Sequence, residues 1–119
     1  MIQRIGHLHF WMVLLFFPWI VEAVPKVVVS IKPLHSLVSG VMEGVGKPNL
    51  LLEGNASVHV YSMRPSEVSM LQQAELFFWV GPQLETFLEK PLASLTNSMI
   101  SVEMIKTLGL QIHRHEYVG

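Results

Sequence analysis

The chain contains no cysteine, and all of its acids are glutamate, since aspartate is absent as well. Without cysteine there is no disulfide scaffold, thiolate zinc finger, cysteine nucleophile or lipid-modified N-terminal cysteine. Charge of either sign is also scarce: 8 Lys and Arg face 9 Glu, for a formal net charge of −1. A nucleic-acid binder needs clustered cations against phosphate, so this balance excludes that class. Catalytic signatures are missing too, with no G-x-S-x-G elbow, no Walker A loop and no G-x-G-x-x-G following a strand. At 119 residues there is room for one small domain.

What the chain does have is apolar residues, 50% of the total, and they are concentrated at the front. Arg4 gives a short positive start, and residues 10–20 are uncharged and rich in aromatics. Eleven residues are too few to cross a hydrocarbon core of ~30 Å as a helix. Pro18 interrupts the run, and Val21-Glu22-Ala23 places small or medium residues at the −3 and −1 positions of a cleavage site. This is the layout of a secretory signal peptide over residues 1–23, removed after Ala23 to leave a mature segment of 24–119. An uncleaved membrane anchor is the competing reading, and the shortness of the span counts against it.

The mature segment alternates strand-like and helix-like stretches. Residues 27–31 (VVVSI) form a β-branched run without polar alternation, as expected of a strand covered on both faces. Leu34, Leu37, Val38, Val41 and Met42 then repeat at helical spacing, with Gly44 and Gly46 available to end the helix. A second strand is expected over 49–53 and a third over 76–80. Between them Pro65 opens a helix with an inward stripe of Val68, Leu71 and Ala74. Leu84, Phe87 and Leu88 mark a further helix stopped near Pro91, and 99–102 is a candidate fourth strand. The pattern predicts an α/β fold with a parallel sheet, whose ligands gather where loops leave the carboxyl ends of the strands.

The loop after the second strand carries His59, in Ser57-Val58-His59-Val60-Tyr61 ahead of Arg64-Pro65-Ser66. A neutral imidazole at that edge can donate to a borderline metal, although a lone loop histidine is more often a surface or hydrogen-bonded residue. His113 and His115 lie at i and i+2 before Glu116, a spacing that puts both imidazoles on one side of an extended segment. The alternative is a solvated polar tail over 111–119. His35 reads as a helix-start residue rather than a ligand, Glu85 and Glu89 as a solvated helix face, and Arg64 with Glu67 as a surface pair.

Taken in order, Ser30-Ile31-Lys32-Pro33, the His59 loop leading to Arg64-Pro65-Ser66, and Trp79-Val80-Gly81-Pro82 before Glu89-Lys90-Pro91 resemble a known family. These are the zinc-binding periplasmic solute-binding proteins of ABC transporters, of the ZnuA-like and TroA-like helical-backbone fold, and the likeness covers about residues 26–95. It implies two α/β lobes joined by a long helix, with a metal ion in the cleft, and a first ligand at His59. His113 and His115 fall about where zinc-specific members begin a His- and acid-rich loop. The remaining donors and the second lobe would lie beyond Gly119, so the chain reads as an incomplete N-terminal lobe. Val58 and Val60 stand where many members carry acidic or polar residues flanking the ligand.

The implied function is binding rather than catalysis: periplasmic capture of Zn²⁺ and delivery to a membrane permease, with no stable membrane anchor after leader removal and no nucleic-acid partner. Mn²⁺ or Fe²⁺ carriage on the same fold is the runner-up. A truncated secreted protein that binds no metal is the rival from another class.

Overall fold

The computed structural model describes residues 23–54, 57, 58, 60–95 and 98–109. Residues 1–22 of the expected leader and the 111–119 tail with His113 and His115 lie outside the described residues, as does His59. Among the described residues, no helix is long and apolar enough to cross a membrane.

Four strands form one parallel sheet in the order β2-β1-β3-β4, built from β1 (Val27–Val29), β2 (Asn49–Leu50), β3 (Leu76–Trp79) and β4 (Ile100–Glu103). The helices are α1 (Lys32–Val41), α2 (Pro65–Gln73), α3 (Glu89–Ser94), which follows a 3-10 turn at Thr86–Leu88, and α4 (Met104–Thr107). The centre of the sheet is β1, and all three of its valines are at most 3% exposed, as an unbroken β-branched run predicts for a strand covered on both faces. Successive side chains of a strand point to opposite faces. Val27 and Val29 accordingly pack with Leu34 of α1, whereas Val28 joins Leu71 of α2, Phe77, Trp79 and Leu88 on the other face. The chain steps from β1 outward to β2 and then back across β1 to β3, and this reversal puts α1 and α2 on opposite faces.

Several boundaries differ from the sequence expectation. The second strand stops at Leu50, but Leu51 and Leu52 stay buried and donate their N–H groups to Val29 and Ser30 at 2.8 and 3.0 Å, so the apolar run continues the ladder without strand geometry. Pro91 does not stop a helix. It sits in the first turn of α3, where no intrahelical partner is needed for a backbone N–H. The fourth strand is shifted by one residue to Ile100–Glu103, pairing Glu103 with Trp79.

The apolar residues that repeat at helical spacing along α1 do not all face the sheet. Leu34 is buried and Val38 and Met42 are half-buried, but Leu37 is 69% and Val41 86% exposed. The 34-38-42 row meets the sheet, while 37 and 41 belong to the neighbouring row. That row and Val45 line a groove whose other walls are Leu76, Phe78 and Met104. Among the described residues α1 is the one crossover helix on this face, against α2 and α3 on the other, and the other helix at the groove is the short α4, through Met104.

Candidate functional site

The carboxyl edge of the sheet is assembled from Ser30 after β1, the 51–60 connection after β2, Val80 and Gly81 after β3, and Glu103 at the end of β4. Four buried side-chain polar atoms among the described residues lack a hydrogen-bond partner: Ser30 Oγ, Trp79 Nε1, Glu85 Oε1 and Glu103 Oε1. All four belong to this edge. Buried polar groups are normally paired, so their convergence marks the edge as the polar end of an otherwise apolar sheet.

The loop that carries His59 has both ends tied to this edge. At its start, the Leu52 N–H donates to the Ser30 carbonyl at 3.0 Å. At its end, the Tyr61 hydroxyl donates to Glu67 Oε1, and the Tyr61 ring meets Phe87 edge-on, with centroids 5.2 Å apart and planes at 71°. The other oxygen of Glu67 accepts the Arg64 N–H at 2.8 Å. Arg64 is the residue before α2 and Pro65 its first residue, so Glu67 in the first turn satisfies a backbone donor and places its charge at the positive end of the helix. The expected Arg64–Glu67 surface pair is thereby corrected. Glu67 is 7% exposed, and it binds the Arg64 backbone because the helix start leaves that N–H free. The hydrogen bond to Glu67 is the main cause that raises the Tyr61 pKa; burial and the nearby Glu67 charge add to it, and Arg64 opposes them.

Glu85 is a second correction. Expected on a solvated helix face with Glu89, it is fully buried and precedes the 3-10 turn, while Glu89 is exposed. Its Oε2 accepts the N–H groups of Val80 at 2.7 Å and Gly81 at 3.2 Å, which have left the β3 ladder. The sequence does hold a signal for this role: Gly81-Pro82 directly after an apolar strand, with a carboxylate four residues after the glycine. At β4, Glu103 Oε2 pairs with Lys106 Nζ at 2.7 Å.

His35 lies in the first turn of α1, as expected. Its Nε2 donates to the Pro48 carbonyl at 2.9 Å, and Nδ1 lies 3.5 Å from the Ser39 hydroxyl, so the ring is engaged at both nitrogens. No group of three or more histidines and carboxylates able to hold a metal forms among the described residues. What these residues supply is a pinned loop, a polar edge and three carboxylates (Glu67, Glu85 and Glu103) held by specific donors.

Residues 27–118 match the family model ZnuA, described as zinc-uptake complex component A, periplasmic. Over 69 residues, 58% of this chain, the sequence is 58% identical to the high-affinity zinc uptake system protein ZnuA of Brucella abortus (strain 2308), and it covers 21% of that protein. The protein of the same description from Paracoccus denitrificans is 39% identical over 97 residues, which is 81% of this chain and 29% of that one. The periplasmic zinc binding protein TroA from Treponema pallidum shares the fold at a TM-score of 0.69 and 23% identity, covering 80% of this chain and 35% of TroA. The chain thus spans about a fifth of the Brucella relative's length. With a parallel sheet, as expected, and a match across nearly all of the segment that follows the leader-like front, the chain belongs to the ZnuA family.

Proposed function

We propose that this chain supplies the first-lobe part of a periplasmic protein that captures Zn²⁺ and hands it to the membrane permease of an ABC transporter. The single observation that carries the reading is the pinning of the 53–60 loop at both ends on the carboxyl edge, by Leu52 on Ser30 and by Tyr61 on Glu67 and Phe87. Ligands of parallel sheets gather at that edge. The names of the relatives support zinc as the cargo.

In this reading His59 is the first zinc ligand, with His113 and His115 as further donors from the later loop. Zinc takes nitrogen, sulfur and oxygen donors in tetrahedral arrangement, and in a chain free of cysteine the donors are imidazoles and carboxylates. The work is selective binding and release, with no bond made or broken in a substrate. Residues 1–23 act as the export leader, so mature protein begins at Val24, as intact mass of the secreted product would report. The decisive experiment is His59→Ala in the full-length protein. Zinc affinity by isothermal titration should fall at least about tenfold, or ~1.4 kcal/mol. Equal affinities would remove His59 from the site.

A further inference from the structure

We propose that Tyr61 is a positioning residue for metal capture, fixing in advance the end of the loop from which His59 is presented. This rests on the reading of His59 as a ligand and deepens it. Tyr61 is the next but one residue after His59 and joins three elements at once: its own loop, the first turn of α2 through Glu67, and the segment after β3 through Phe87.

The hydroxyl is the part of Tyr61 that requires explanation. Contact with Phe87 needs only a ring, which phenylalanine would supply equally. Glu67 needs only one oxygen to cap Arg64, and that bond is made by Oε2. The second oxygen is spent on Tyr61, so one buried carboxylate ties the loop end to the rigid start of a helix. A hydrogen bond to an ionised carboxylate is stronger than a neutral one. Between the two anchors, residues 53–60 form neither helix nor strand where they are described. Holding the backbone two residues after His59 in one place favours the geometry in which a ligand at that position meets the ion, which raises affinity without adding a metal contact.

The test uses full-length protein with Tyr61→Phe, Glu67→Gln, the double variant and His59→Ala. Zinc affinity is measured by competition with a chromogenic chelator, and the melting temperature of the metal-free form is measured alongside. Tyr61→Phe should weaken zinc binding about three- to tenfold, with faster release into excess chelator. Glu67→Gln takes the charge off the acceptor and should act in the same direction, and the double variant should be no weaker than the worse single variant, because both changes act on one hydrogen bond. A purely structural tyrosine would lower the metal-free melting temperature and leave zinc affinity within about twofold, which would overturn the proposal. Additive losses in the double variant would overturn it as well. If His59→Ala leaves affinity intact, the ligand reading itself fails and takes the positioning role with it. A loss in His59→Ala with none in Tyr61→Phe sinks the positioning role alone.

Discussion

Glu85 holds Gly81 through the backbone: one carboxylate oxygen of the buried glutamate accepts the Gly81 N–H at 3.2 Å and that of Val80 at 2.7 Å. The bond closes the turn in which β3 leaves the sheet, and the Glu85 N–H returns to the Gly81 carbonyl at 2.9 Å. Side chain and main chain of one residue therefore clamp the same glycine. This places Val80 and Gly81 at the carboxyl edge, next to the end of β4.

Removing the clamp should be costly. Glu85→Ala strands two backbone donors in a buried turn, and the expected loss is about 2–4 kcal/mol of unfolding free energy in urea. Glu85→Gln retains one oxygen acceptor and should lose less. A loss below about 0.5 kcal/mol for the alanine variant would show that the turn holds itself without the carboxylate.

Gly81 is constrained from the other side as well. Its φ is +149°, and a Cβ there would lie 2.9 Å from Gln83 Oε1 and 3.3 Å from both Glu103 Oε1 and Ile105 Cδ1. Gly44 offers a contrast within the same chain, with φ at +81° and nothing within 4 Å of a built Cβ. Gly44→Ala should cost about 1 kcal/mol, from backbone strain alone. Gly81→Ala carries strain and crowding together and should cost clearly more, about 2–3 kcal/mol. Equal losses in parallel urea titrations would contradict the crowding argument.

The Tyr61–Glu67 hydrogen bond has a consequence at alkaline pH. The bond holds the Tyr61 hydroxyl protonated, so its pKa in the folded chain stands above the ordinary value near 10. The unfolded chain gives up that proton first. Stability from this group is therefore fully present below pH ~10 and is lost as the pH rises through the folded pKa. Urea titrations between pH 8 and 11.5 should show wild type losing part of its advantage over Tyr61→Phe above pH ~10. Lysines and the remaining tyrosine titrate in both proteins and cancel in the difference. Curves that stay parallel across the range would mean that Tyr61 does not feel Glu67.

Much of this was legible in the sequence because the signals are local. Three valines in a row have one reading as a strand, and they are the most buried strand in the sheet. Pro65 marks the start of α2, and of the expected stripe Leu71 and Ala74 lie inside while Val68 is half-buried. Glu85 was misread because helical spacing to Glu89 says nothing about the two N–H groups freed at the end of β3; only the path of the chain brings them together. The Glu67 interaction was misread for a related reason: a carboxylate three residues after an arginine suits both an ion pair and a cap, and burial decides between them. The outer row of α1 was ambiguous in another way, since periodicity identifies a helix with apolar residues but not how many of its rows find a partner.

That outer row gives the last prediction. Leu37, Val41 and Val45 are 69%, 86% and 61% exposed and share one groove with Leu76, Phe78 and Met104. Contiguous exposed apolar surface of this kind recruits hydrophobic dyes and favours association. Protein beginning at Val24 should therefore bind anilinonaphthalene sulfonate, and Leu37→Lys with Val41→Lys should remove most of the fluorescence. Because both side chains are largely in water already, unfolding free energy should stay within about 0.5 kcal/mol of wild type. Leu34→Ala is the internal control. It lies one turn from Val38 on the inner row, is 7% exposed, packs with Val27 and Val29, and should cost about 2–4 kcal/mol. Dye binding that survives the double lysine substitution would place the exposed apolar surface elsewhere. A large stability loss in that variant would mean that the outer row is covered in solution.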